Sequence, residues 1–178
     1  IDLGPVATLT TNVADGQSAS YGGGIANGAA TVSLVKTGAG TQILSGPSGF
    51  AAISNAAAVT VSGGVLQVGH VQALGAWNLG TNGNNVSVNT GLLDLNGFSP
   101  NIGWLASSGA GGTVTNSQAI PSTLTMVGRG VTTSPIIRGN INLVLVPQTT
   151  GNAWQTLNFT NDFTGWIQIN SGANLSLW

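Results

Sequence analysis

Apolar and polar residues alternate in short runs along the whole chain. Val59-Thr60-Val61, Val86-Ser87-Val88, Leu93-Asp94-Leu95, Leu124-Thr125-Met126 and Ile167-Gln168-Ile169 are examples, and Ile141-Asn142-Leu143-Val144-Leu145 is the longest. A two-residue repeat is that of a β-strand with one buried face. Between the runs lie Ser62-Gly63-Gly64, Asn82-Gly83, Thr90-Gly91, Asn96-Gly97 and Ser171-Gly172, residue types that supply the positive φ of tight turns. No stretch places apolar residues at helical spacing between caps, and Glu is absent, so the pattern predicts an all-β chain.

The runs recur. Val59-x-Val61 followed by Gly64 and Leu66-x-Val68 matches Val86-x-Val88 followed by Gly91 and Leu93-x-Leu95, an offset of 27 residues. Ile167-x-Ile169 lies three such offsets beyond Val86, while Val32, Val114 and Ile141 fall at or within one residue of the same phase. A repeat of strand, glycine turn and strand at this length is what one coil of a β-solenoid requires. One coil cannot bury its own inward residues, but stacking coils at about 4.8 Å buries them and pairs the backbone. The sequence therefore predicts one β-solenoid domain over residues 1–178, of six to seven coils with a period of about 27 residues. Inward positions would include Val59, Val61, Val86, Val88, Ile167 and Ile169. A β-sandwich, with turns every 8–12 residues or so, is the alternative fold.

Composition removes several functions. Only 7 of 178 residues are charged: Lys36, Arg129 and Arg138 against Asp2, Asp15, Asp94 and Asp162. Three cations cannot neutralise a phosphate backbone, so no nucleic acid is expected as partner. The same shortage argues against an anionic membrane surface. Without Cys there is no disulfide, thiolate metal site or thiol nucleophile. No apolar run reaches the length of a membrane helix, so no membrane insertion by this segment is expected. Gly, Thr, Asn and Ser make up 82 residues. Stacked uncharged ladders of these types tolerate in-register repetition, where like charges would repel. The first residue is Ile1, which suggests a removed signal peptide or an excised segment.

The segment Leu34-Val35-Lys36-Thr37-Gly38-Ala39-Gly40-Thr41-Gln42-Ile43-Leu44-Ser45-Gly46 resembles the L-x-K-x-G-x-G-T-L-x-L-S-G signature of autotransporter-associated β-strand repeats. Residues 59–75 and 92–116 continue the pattern. Asn161-Asp162-Phe163-Thr164-Gly165, followed by Ile167 to Ala173, looks like the start of another copy. The resemblance is best over residues 30–118 and partial over 156–178. It implies a right-handed parallel β-helix, secreted and displayed outside the cell or on the bacterial surface as stalk, fibre or adhesin, with no catalytic residue to carry over. The membrane β-barrel that accompanies such passengers has no counterpart in this sequence. The chain thus reads as a passenger fragment or a smaller secreted subunit.

Candidate chemistry is sparse. His70, the single histidine, reads as a loop residue, because neither zinc nor a Ser–His–Asp triad finds its remaining members. Asp94 and Asp162 are the carboxylates most worth considering for glycan cleavage, which needs such groups converging in one cleft. Asp94 reads more simply as the outward residue between two leucines, and Asp162 as a turn former. Gly22-Gly23-Gly24, Gly38-Ala39-Gly40 and Gly109-Ala110-Gly111-Gly112 lack the Lys-Ser or Lys-Thr of a phosphate loop and read as corners. No enzyme activity, cofactor or metal is expected.

The ten aromatic residues (Tyr21, Phe50, Trp77, Phe98, Trp104, Trp154, Phe159, Phe163, Trp166 and Trp178) read mainly as core filling or end caps. A glycan-binding strip of exposed Trp is the alternative, and would make the chain an adhesin. The leading expectation is a structural subunit that assembles with itself head to tail. Residues 163–178 contain no charge, and Val6-Ala7-Thr8-Leu9-Thr10 reads as an extended strand. Residues 1–20 would cap the rod or lend a strand to a neighbour. Val6, Leu9, Trp166, Leu175, Leu177 and Trp178 are the candidate contact residues.

Overall fold

The computed structural model describes residues 6–25, 31–50, 57–75, 84–108, 111–127, 133–148, 153–158 and 160–178. Every named element is a β-strand, and every strand pairing is parallel. The first face of the solenoid stacks β1 (Val6–Asn12), β3 (Thr31–Thr37), β5 (Val59–Val61), β7 (Val86–Val88) and β10 (Leu105–Ala106). A second face stacks β2 (Ser18–Tyr21), β4 (Thr41–Leu44), β6 (Val65–Val68), β8 (Leu92–Asp94), β11 (Thr113–Thr115), β13 (Ile136–Gly139) and β16 (Asp162–Phe163). The third holds β9 (Asn101–Ile102), β12 (Ser122–Met126), β14 (Ile141–Leu145) and β17 (Ile167–Ile169). Finally, β15 (Ala153–Leu157) pairs with β18 (Ala173–Leu177). The chain visits the faces in turn, which makes a β-solenoid of about six turns.

Alternation builds the core as expected. Val59 stacks on Val86 and Val61 on Val88. Leu66 stacks on Leu93, with Val114 and Ile137 continuing the column. All of these are buried in one continuous apolar cluster that also takes in Leu124, Ile141 and Leu143.

The period needs correcting. Coil length is about 24 residues and is not uniform. Paired residues are 27 apart at Val59↔Val86, 25 at Leu34↔Val59 and only 19 at Val86↔Leu105. A constant step of 27 therefore drifts from one face to another. Val114 belongs to the second face, and Ile141 and Ile167 to the third. Hydrogen bonding fixes the rise per coil, whereas the number of residues at each corner is free, so strand phase survives and strict sequence period does not.

The N-terminal segment takes part in the stack. Its described part pairs within its own rod, β1 on β3 and β2 on β4. It forms the first coil rather than a loose strand available to a neighbour.

Gln155 makes an unusual join. Its buried side-chain amide accepts from Leu105 N at 3.3 Å and donates to Leu105 O at 2.8 Å. One side chain thereby supplies the donor and acceptor that a neighbouring strand would give, and ties β15 to the last strand of the first face.

Candidate functional site

Chemistry-bearing side chains fall in three places: an interior corner, an outer polar spine and the C-terminal end. At the corner, Lys36 occupies an inward position, in phase with Val32 and Leu34 and stacked on Val61. It is fully buried. Its Nζ donates to the carbonyls of Thr37 at 2.6 Å, Gly38 at 2.9 Å and Gly63 at 3.2 Å, so it joins two successive coils. Burial pushes its ammonium below the ordinary lysine pKa. Gly38 and the adjacent coil's Gly64 both have positive φ. A Cβ on Gly64 would run into the Gly38 and Gly40 carbonyl oxygens, so the close approach of these corners requires glycine. Thr11 is the register partner of Lys36 on its other side, and its Oγ1 is buried without a hydrogen-bond partner among the described residues.

The polar spine runs along the corner after the second face. Asp94, read as the outward residue of its strand, is buried. Its Oδ2 accepts from Gln67 Nε2 at 2.8 Å, and its Oδ1 accepts from the backbone N–H groups of Asn96 and Ser117 at 2.9 and 3.0 Å. In the next coil Asn116 accepts from Gly97 N and Gln118 N and donates to the carbonyls of Ile120 and Asn140. Asn96, at φ 49°, donates to Val68 O and accepts from Gln118. Each member satisfies backbone groups that the turns leave over.

This arrangement is structural in geometry. Asp94 and Asp162 lie on one face but three strands apart, through Thr115 and Arg138, or about 14 Å at the usual strand spacing. That exceeds the roughly 5–10 Å over which paired carboxylates act on a glycosidic bond. Asp162 instead meets the Arg138 Nε at 3.5 Å in an exposed ion pair. His70 Nδ1 accepts from Gln72 N at 3.0 Å, within its own turn. Among the described residues no three His or Asp side chains come together as a metal site would require.

The predicted contact residues fall on the first and the last described rungs. Val6 opens β1, and Leu9 packs half-buried against the core. At the opposite end, β16, β17 and β18 are each the last strand of their sheet. Ile167 and Ile169 sit in register over the buried Leu143 and Leu145, yet are 39% and 49% exposed. Their strand phase is the inward one, as expected, but no further rung covers them among the described residues. Leu175 is half-buried against the core, while Leu177 and Trp178 are 69% and 86% exposed.

Trp154 and Trp166 are 56% and 50% exposed. Trp104 is buried and matches the core-filling expectation. Trp77 and Phe159, with residues 1–5, Arg129, Asn82-Gly83 and the Gly109-Ala110 half of one glycine run, lie outside the described residues. Sequence reasoning missed the internal role of Lys36 and the strand-like role of Gln155. The first had a usable signal, since Lys36 shares the parity of Val32 and Leu34.

No family model matches the chain, and neither a curated protein nor a solved structure shows significant similarity to it.

Proposed function

We propose that this chain is a structural module, a secreted β-solenoid subunit of an extracellular fibre or bacterial surface stalk whose rods stack head to tail. What supports the proposal is an uncharged, in-register stack of coils whose last described rung leaves its outer strand edges unpaired. Ile167 and Ile169 continue two buried core columns into solvent, and β16–β18 have open edges among the described residues. An open sheet edge recruits strands, and natural monomers block it with charge, proline or a capping element. Neither β17 nor β18 carries a charge, and Asp162 on β16 is paired with Arg138. The occupant that presents parallel strands on more than one face at once is the first coil of a second copy, β1 and β2. The resemblance to autotransporter repeats supports a location outside the cell.

The test compares wild type with Ile167→Asp/Ile169→Asp by sedimentation and negative-stain electron microscopy. Wild type is expected to form rods that lengthen with concentration, and the double variant to stay monomeric with an unchanged far-ultraviolet spectrum. A wild-type chain that remains a monodisperse monomer at the highest soluble concentration overturns the proposal.

A further inference from the structure

The outer wall of the β15–β18 pair carries a second, independent surface. Inward and outward positions separate cleanly on β15, where Gln155 and Leu157 are buried and Trp154 projects to solvent. Register sets Trp154 beside Asn174 and Thr156 beside Ser176. Trp178 shares the outward parity of Asn174 and Ser176, and its N–H donates to Leu157 O at 3.1 Å. Trp154 and Trp178 therefore stand on the same flat wall, four residues along and one strand across, or about 14 Å apart by strand dimensions. Between them lie the amide of Asn174 and the hydroxyls of Thr156 and Ser176. No charged residue belongs to either strand.

We infer that this wall binds a neutral, extended polysaccharide chain, with Trp154 and Trp178 as stacking platforms and Asn174, Ser176 and Thr156 as hydrogen-bonding groups. Large exposed rings at the surface mark recognition sites, because Trp offers apolar area with little conformational entropy to lose. The surroundings of the rings choose the partner class. A protein partner would be matched by a contiguous apolar patch, but here the rings are separated by neutral polar groups. Single-stranded nucleic acid also stacks on aromatic platforms but needs a cationic groove, and the strands offer no cation. A glycan presents apolar ring faces and hydroxyl edges in alternation, which is the pattern of this wall. The outward side chains of this wall point away from the core, across rather than along the direction in which strands stack.

The experiment is co-sedimentation of the full chain with insoluble cellulose, chitin and β-1,3-glucan, alongside neutral phosphatidylcholine vesicles. Wild type should be retained on at least one polysaccharide and not on the vesicles. Trp154→Ala and Trp178→Ala should each weaken retention by about tenfold and together abolish it. Trp154→Tyr, which keeps a ring and guards against a folding artefact, should retain most of it. Trp166→Ala removes an equally exposed ring from a different face and should change retention less than about twofold. Failure to bind any of the three polysaccharides, equal loss with Trp166→Ala, or retention on vesicles alone overturns the inference.

Discussion

Replacing Lys36 by Met tests how the interior corner is held. The substitution keeps an unbranched stem of nearly the same volume and removes only the ammonium, so packing against Val61 changes little. What it removes is three hydrogen bonds to carbonyls in two coils. The lowered pKa means that the hydration lost on burial outweighs the bonds made by the charge itself, but either form of the amine donates to these carbonyls and Met leaves them without a donor. Unpaired buried groups cost about 1–3 kcal/mol each, and relief of the buried charge offsets part of this, which leaves a net loss of about 1–2 kcal/mol for Met. Lys36→Ala adds the lost methylenes at about 0.8 kcal/mol each, and a cavity. Urea unfolding followed by circular dichroism measures both.

The same residue gives a pH signature. Its folded-state pKa lies below the unfolded value of about 10.4, so between the two the unfolded chain binds more protons. Stability should therefore rise as pH increases through that window and level off above it. The slope belongs to wild type and should vanish in Lys36→Met. A Met variant as stable as wild type, with the same pH slope, would refute the account of the corner.

Two further outcomes follow from the same structure. Thr11→Val deletes a buried hydroxyl that has no partner among the described residues at nearly constant shape, and should raise stability by about 1 kcal/mol. A loss of stability there would show that the hydroxyl is satisfied. Arg138→Ala breaks an ion pair whose partners are both mostly exposed, so thermal and urea unfolding should shift by less than about 0.5 kcal/mol.

How much was legible depended on the range of the interaction. Strand phase is local, and Val59, Val61, Val86 and Val88 announce it by alternation alone. Coil length is not local. The spacing of 27 was measured on the longest coil, and nothing in the sequence marks the 19-residue coil between Val86 and Leu105. Asp94 reads as outward because its neighbours in sequence are inward leucines, and the cover that buries it comes from Ser117 and Gln67 in adjacent coils. Trp104 and Trp154 look alike as letters, and only their place in the stack makes one core and the other surface. The self-pairing of β1 was not legible, since a strand gives no sign of which edge it will join.

The direction of the hydrogen bonds has a mechanical consequence. They link coil to coil and so run along the rod, which means that tension between the ends loads one rung at a time and peels it away instead of shearing whole sheets. Each released coil of about 24 residues pays out about 80 Å of extended chain in place of a rise of about 4.8 Å. Under load the molecule would act as a spool, lengthening in discrete steps and dissipating work at each. Lys36 and Gln155, which each bond across coils, would set the forces at which particular turns let go.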